Sequence, residues 1–363
     1  FFTLALPVLL RQRGLDLATV SASSLLALPW AAKWIWGPVV DRYGTRREWI
    51  LPLQVGASLL LGGLAFVDAD AGLAALAWGM LGVSVLSSTQ DVATDALAVQ
   101  LLGERDRGLG NGLQVGAYRV GMVVGGGAVP AIYGALGPSW AFGVLAISLA
   151  LTTLPVLVVQ EPERERATDS LDPRRVLAPL AQRSEWPWLL VIATYKAGDH
   201  LAAPMARTLL VDQGWELTEL GVLVGLGGSG LAAVGALGGG ALVPWLGRRR
   251  SLWLFGLATA GVELAFLVAD PAWVLLAEHL VASTGTAALF TVMMDRCRRP
   301  GHQATDYAVQ AAAYALAGGA VGAVSGVLAD RVGYQVHFAI CGAVTLAGAA
   351  LAAAVVDEPG GER

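Results

Sequence analysis

Charge is scarce in this sequence. Of its 363 residues, 14% are charged and 55% are hydrophobic, and the mean hydropathy is +0.61, whereas a soluble domain carries about 25% charged residues. Only two cysteines occur, Cys297 and Cys341, so the sequence predicts neither a disulfide framework nor a thiolate metal site. The formal net charge of −4 does not favour a nucleic-acid partner. The composition is that of a polytopic membrane protein.

Catalytic motifs are also missing. The four histidines form no His-Glu-x-x-His pattern, and the sequence contains no P-loop and no credible serine or cysteine triad. One Gly-x-Gly-x-x-Gly pattern runs from Gly225 to Gly230, but it lies within an apolar run, and the next charges after it are arginines rather than a ribose-binding acid. We therefore predict that the protein is not an enzyme and has no cofactor and no metal site.

Apolar runs recur along the chain at the length a helix needs to cross a bilayer, about 20 residues. We predict eleven complete spans and interpret the ten apolar residues at 1–10 as the end of a first helix that is incomplete here. The predicted fold class is therefore an all-α integral membrane protein with twelve transmembrane helices, the first one truncated. The spans are 18–40, 49–67, 72–100, 108–134, 139–159, 184–206, 216–243, 251–269, 272–295, 303–329 and 334–356.

The loops between these spans differ in charge. Most arginines lie in loops 41–48, 103–108, 161–183, 247–250 and 296–302, whereas the alternate loops hold Arg11, Arg13, Arg207 and Arg331. The positive-inside rule predicts that the arginine-rich loops, the central linker and the C-terminus are cytoplasmic. We predict an N-terminal six-helix bundle at 1–160, a cytoplasmic linker at 161–183, a C-terminal six-helix bundle at 184–357 and a tail at 358–363.

The two halves of the chain resemble each other weakly. GPVVDRYGTRR (37–47) has a counterpart in ALVPWLGRRR (241–250), and a basic loop enters a helix of small residues both at 103–127 and at 296–320. Two similar halves in the same membrane orientation predict the major facilitator fold. Chance similarity between sequences rich in alanine, glycine and leucine is the alternative.

Several ionisable residues fall inside the predicted spans, where they are costly and by default face a cavity. Lys33 lies eight residues before Asp41, about 12 Å along a helix, and Arg119 lies about 18 Å inside its own span. Asp91 and Asp95 are four residues apart and share one helix face, as do Lys196 and Asp199, three apart, with His200 beside them. Structural alternatives stay open. Lys33 could snorkel or pair with a carboxylate, Asp95 could pair with Arg119, Lys196 could pair locally with Asp199, and Glu263 is explained by packing or a helix end.

Four segments carry a resemblance to a known family. KWIWGPVVDRY (33–43), SSTQDVATDALAVQLLGERDRGLGNGLQVGAYRVGMVVGGG (87–127), YKAGDHLA (195–202) and EHLVASTGTAALFTVMMDRC (278–297) stand in order along the chain. They resemble AmpG-type muropeptide permeases, which group with acetyl-CoA transporters inside the major facilitator superfamily. The resemblance implies proton-driven import of anhydromuropeptides, the products of cell-wall turnover, across the bacterial inner membrane by alternating access.

The resemblance also implies a set of site residues. Cations suit the carboxylates of an anionic glycopeptide, whereas amide, carboxylate and phenol groups suit sugar hydroxyls. The substrate-binding candidates are Lys33, Gln90, Asp91, Tyr118, Arg119, Tyr195 and Lys196. The candidates for carrying the coupling proton are Asp91, Asp95, Asp199 and Glu278. A conformational latch is predicted at Asp41, Arg42, Arg46 and Arg47.

The partners expected are this small-molecule substrate, protons and membrane lipid, and we expect a monomer. Two alternatives stay open at this point. One is a carrier of another solute, such as an exported drug or an acyl-CoA-like anion. The other is a membrane receptor or scaffold that transports nothing.

Overall fold

The computed structural model describes residues 26, 28–67, 73–162 and 182–358. The incomplete helix predicted at 1–10, most of the linker predicted at 161–183 and most of the tail predicted at 358–363 lie outside these residues. Within them the chain forms helices joined by short turns, as the all-α fold class predicts. We number the α-helices in chain order.

Eight α-helices lie in the described part of the first 160 residues. They are α1 Leu28–Ala31, α2 Gly37–Arg42, α3 Arg46–Leu64, α4 Leu73–Leu101, α5 Arg107–Val123, α6 Val129–Leu136, α7 Pro138–Leu151 and α8 Thr153–Val158. A 3-10 turn at Lys33–Ile35 separates α1 from α2, and a π-helical segment at Val124–Ala128 joins α5 to α6. The span predicted at 18–40 is therefore interrupted at Lys33.

The remaining described residues form seven α-helices. They are α9 Trp186–Thr194, α10 Ala197–Asp212, α11 Leu217–Leu220, α12 Ser229–Leu246, α13 Arg248–Ala265, α14 Pro271–Asp295 and α15 Gln303–Val355. A π-helical segment at Gly221–Gly228 joins α11 to α12. Within α15, Gly333 has a φ of 76°, a left-handed conformation that glycine adopts at no steric cost. It falls in the gap predicted between the spans 303–329 and 334–356.

Five helical segments of the described chain are long and apolar enough to cross a membrane by length and composition. They match the predicted spans that begin at 108, 139, 216, 272 and 303, the last of which continues through the span predicted at 334. Other helices occupy most of the remaining predicted spans, among them α3, α4 and α13. The span 184–206, for example, is broken between α9 and α10 at Lys196, whose φ of −108° and ψ of 11° are not helical.

The chain divides into two compact units. One contains residues 1–101, 121–176 and 297–312, and the other contains residues 102–120, 177–296 and 313–363. In the first, Val40, Ile50 and Val92 pack with Ala304 and Ala308 of α15. In the second, a core around Leu201, Leu275 and Phe338 joins α10, α14 and the last part of α15. The predicted division into halves at 1–160 and 184–357 stays a prediction.

Acidic side chains stabilise the starts of two arginine-rich helices. At α3, Thr45 and Glu48 form a capping box, and the carboxylate of Glu161 accepts hydrogen bonds from the backbone amides of Arg46 (2.9 Å) and Arg47 (3.1 Å). At α13, the carboxylate of Glu358 accepts from the amides of Arg248 (2.8 Å) and Arg249 (3.1 Å). Each acid satisfies two amides that have no partner inside the helix.

Glycines allow α5 and α12 to approach closely in the second unit. A Cβ on Gly240 would collide with the carbonyl oxygen of Gly108 and lie 3.0 Å from the Cα of Gly112. Gly238, two residues away on α12, has no neighbour within 4 Å of its Cβ position. Small residues at a helix contact are the usual means of close packing in lipid.

We expect Gly240→Ala to destabilise the protein by about 1–3 kcal/mol, because the backbones of α5 and α12 would have to separate. Gly238→Ala is the matched control and should be neutral or stabilising, since alanine is a better helix former than glycine. Thermal unfolding of the purified protein in detergent measures both. Equal effects of the two substitutions would contradict close packing at Gly240.

Candidate functional site

Lys33 lies between two carboxylates in the first unit. Its Nζ donates a hydrogen bond to Asp91 Oδ2 at 2.6 Å and lies 3.5 Å from Asp95 Oδ2. The side chains of Lys33 and Asp95 are 10% and 4% exposed, and that of Asp91 is 28% exposed. Pairing of Lys33 with a carboxylate, one of the structural alternatives, is therefore present. The cluster is buried and charged, and Asp91 is its most accessible member.

Local sequence explains this geometry. The 3-10 turn at Lys33–Ile35 ends the α-helical pattern of α1 just before Gly37 and Pro38 begin α2. Asp91 and Asp95 follow a helical spacing of four on α4, so both carboxylates point to the same side. Gln90 precedes Asp91 and is half-buried. Buried Tyr307 lies close enough for the charges of Asp91 and Asp95 to act on its phenol.

Lys196 forms the centre of a second cluster, in the second unit. It occupies the non-helical position before α10, and its Nζ lies 3.1 Å from Asp199 Oδ2 and donates to the Ala282 carbonyl at 2.9 Å. Its side chain is 4% exposed. The local i, i+3 pair considered from the sequence is therefore present. The carbonyl of Ala282 on α14 is a further group that fixes the ammonium.

Two further side chains of α14 continue this second cluster. The carboxyl of Glu278 interacts with that of Asp199, and Glu278 Oε2 lies 3.0 Å from His279 Nδ1. His279 Nδ1 also lies 2.8 Å from the Leu275 carbonyl oxygen. Two carboxyl groups in contact at a buried place repel each other when both are ionised. Lys196, Asp199 and Glu278 thus form one buried group of charged side chains.

The other candidates have differing surroundings. Arg119 is half-buried on α5, with its charge near His279 and Tyr314. Tyr118 beside it is 64% exposed. Tyr195 is buried, and its hydroxyl donates to the Leu252 carbonyl at 2.9 Å. This hydrogen bond links the end of α9 to α13. The substrate contact predicted for Tyr195 stays a prediction.

Two of the predicted latch residues, Asp41 and Arg46, form a buried network with the start of α15. Asp41 and Arg46, both 0% exposed, form an ion pair at 2.6 Å. The Asp41 carboxylate also accepts from Ala304 N at 3.0 Å, Thr305 N at 2.8 Å and Thr305 Oγ1 at 2.7 Å, at the start of α15. Arg47 donates to the Leu157 carbonyl at 2.7 Å. Arg42 lies over the Tyr43 ring, 5.8 Å from its centroid.

A similar network in the second unit was not predicted. Asp295, the last residue of α14, accepts from Arg107 Nη1 at 2.8 Å and from Arg248 Nε at 2.9 Å. Arg248 also donates to the Glu104 carbonyl. Arg248 begins α13 as Arg46 begins α3. The arginine cluster at 46–47 recurs at 248–250 in the sequence. This repeat could have predicted a second network around the start of α13.

Sequence reasoning also missed or undervalued groups near the clusters. Tyr307 lies beside the Lys33 cluster in the first unit, and Tyr314 lies beside the Lys196 cluster in the second unit. Glu263, which the sequence attributes to packing or a helix end, is fully buried beside the Lys196 cluster.

Metal ligands are a separate question. Among the residues that the structure describes, no group of three or more His, Cys, Asp and Glu side chains could hold a metal ion.

Comparison with known proteins assigns the family. A sequence profile described as Major Facilitator Superfamily matches residues 1–323. The chain belongs to the major facilitator superfamily. It is therefore a multi-pass membrane transporter of a small molecule, not an enzyme. The fold class predicted from the two similar halves is confirmed.

The chain is also similar in sequence to individual bacterial proteins. The anhydromuropeptide permease of Escherichia coli K12 is 28% identical over 347 residues, which cover 90% of this chain and 70% of that protein. An uncharacterized protein of Haemophilus influenzae is 28% identical over 374 residues, covering 93% and 86%. The resemblance to AmpG-type permeases is confirmed.

Two solved structures show the same fold at low sequence identity. The human organic anion transporter MFSD10 has a TM-score of 0.72 at 18% identity, covering 91% of this chain and 82% of that one. The E. coli fucose:proton symporter FucP has a TM-score of 0.67 at 13% identity, covering 90% and 91%.

Proposed function

We propose that this transporter imports anhydromuropeptides across the bacterial inner membrane by alternating access, coupled to the entry of protons. The observation that carries the proposal is the pair of buried clusters around Lys33 and Lys196, each of which joins a cation to carboxyl groups inside the helices of a transporter. The similarity to an anhydromuropeptide permease supports the substrate. The arginine-rich loops support a cytoplasmic linker and C-terminus.

In this proposal the cations bind the carboxylates of the substrate peptide. Lys33 and Lys196 already hold carboxylates, at 2.6 Å and 3.1 Å, so their geometry suits a carboxylate of the substrate in the same position. Arg119 adds a guanidinium, which can bind a carboxylate through two parallel hydrogen bonds. Gln90, Asp91, Tyr118 and Tyr195 would bind sugar hydroxyls.

The same contacts explain how protons could be coupled to the substrate. Each lysine favours the ionised form of the acids beside it. When a substrate carboxylate takes the lysine as its partner, the protein carboxylate loses that stabilisation and binds a proton instead. Asp91 and Asp95 would do this beside Lys33, and Asp199 and Glu278 beside Lys196. Substrate and proton would then bind together.

The test is uptake of labelled anhydromuropeptide into vesicles that contain the full-length protein, with an imposed pH gradient. Uptake should require the gradient, and an uncoupler should abolish it. Uptake that is insensitive to the uncoupler would contradict proton coupling. Failure to take up any muropeptide, by protein that is folded and correctly inserted, would contradict the substrate.

Arg119→Ala is expected to lower uptake about tenfold or more, because a charge-assisted hydrogen bond contributes about 1.5–3 kcal/mol. Arg331→Ala is the matched control, since Arg331 is exposed beside the glycine break of α15, and its uptake should match that of the wild type. The same vesicles report both rates, and the amount of folded protein is measured in parallel. Wild-type uptake by Arg119→Ala would remove Arg119 from the proposed substrate contacts.

A further inference from the structure

Glu263 lies within α13 and is 0% exposed. Its sequence neighbours Val262 and Leu264 are apolar. A buried carboxyl group is strongly destabilised if it is ionised without a partner. Packing alone does not explain why an acid occupies this position.

Three helices of the second unit surround the Glu263 side chain. From α10, a Cβ on Gly198 would lie 3.1 Å from Glu263 Oε2 and would collide with Thr345 Oγ1, so the missing side chain of Gly198 leaves the space that both groups use. From α15, the Thr345 hydroxyl and the Cys341 thiol face the carboxyl. From α10 and α14, the charges of Lys196, Asp199 and Glu278 act on it.

No basic side chain neutralises Glu263 by direct contact. In the described part of the chain it forms no ion pair, and Lys196 is engaged by Asp199 and the Ala282 carbonyl. Three charged side chains act on Glu263, namely Lys196, Asp199 and Glu278. The positive charge on Lys196 offsets one negative charge on the Asp199 and Glu278 pair when that pair shares a proton. An ionised Glu263 would add an uncompensated negative charge, so the neutral acid is the favoured form.

We propose that Glu263 is a second proton-binding residue of the Lys196 cluster, protonated in this structure, so that the cluster holds two exchangeable protons. One proton lies on Glu263, and the other is shared by Asp199 and Glu278. That these protons are used in transport rests on the proposed function. That Glu263 holds a proton rests on its burial, its neighbours and the balance of charge.

The test is the infrared spectrum of the purified full-length protein in lipid at neutral pH, in the region where protonated carboxylic acids absorb. Glu263→Gln should remove one component of this absorption, because glutamine fills the same volume and has no acid proton. Thr345→Val should shift that component, because it removes the hydroxyl beside the carboxyl. Glu104→Gln, at an exposed position, is the control and should leave the spectrum unchanged.

An acid absorption that is the same in the wild type, Glu263→Gln and Thr345→Val would overturn the proposal. The measurement needs no substrate, so it separates this inference from the proposed function. If the acid component disappears in Glu263→Gln but the wild type shows no proton-driven uptake, the proton-binding residue stands and the proposed function fails. If the wild type takes up muropeptide in a proton-driven manner but the three spectra are identical, the proposed function stands and the proton-binding role of Glu263 fails.

Discussion

Replacing Asp41 with alanine is expected to lower the free energy of unfolding by about 3–5 kcal/mol, the usual cost of breaking a buried ion pair from one side. Arg46 would lose the carboxylate that lies 2.6 Å from its guanidinium. The amides of Ala304 and Thr305 would lose their acceptor at the start of α15. Because all of these groups are buried, water could not replace the lost bonds without opening the structure.

Thermal unfolding of the purified protein in detergent measures this effect. Asp357→Ala is the matched control, since Asp357 is exposed and its loss should change stability by less than about 0.5 kcal/mol. Asp41→Asn keeps the shape and one acceptor oxygen, so it should fall between the two. Stability equal to the wild type in Asp41→Ala would show that the network at the start of α15 contributes nothing to the folded state.

Replacing Lys33 with methionine is expected to destabilise the protein by a similar amount at neutral pH. The substitution keeps much of the apolar length of the side chain but removes the cation beside Asp91 and Asp95, leaving two neighbouring acids in a largely buried place. Thermal unfolding of the variant and of the wild type, both purified in detergent at neutral pH, measures this loss.

The double variant Lys33→Met, Asp91→Asn separates stability from transport. It removes one charge of each sign, so much of the lost stability should return. If Lys33 or Asp91 binds the substrate or carries the coupling proton, uptake should stay low although the protein is stable again. Recovery of both stability and uptake would show that Lys33 only neutralises the acids. Failure of the double variant to regain stability would contradict the charge pairing itself.

Hydrophobic length was enough to predict the helical fold. The gap predicted between 329 and 334 coincides with Gly333, because a polar turn and a glycine mark a helix boundary in the sequence itself. The breaks at Lys33 and at Lys196 were not predicted. Both lie within apolar runs, and hydropathy reports the preference for lipid rather than the path of backbone hydrogen bonds.

The candidate site could be predicted only in part, because the sequence does not show which helices pack against each other. A spacing of four residues indicates that Asp91 and Asp95 share a helix face, but it cannot show which other helix that face meets. The structure identifies Lys33 as a neighbour of both. Glu263 was undervalued because its burial depends on Gly198 and Thr345, which are distant in sequence and carry no charge.

The carboxylates of Glu161 and Glu358 have a consequence for genetic suppression. Each binds two backbone amides, at the first residues of α3 and α13 respectively. A backbone amide is present whichever residue stands there, proline excepted. A second mutation at Arg46, Arg47, Arg248 or Arg249 would therefore not restore a bond lost by substitution of the acid. Revertants of such a substitution should regain an acid at the original codon.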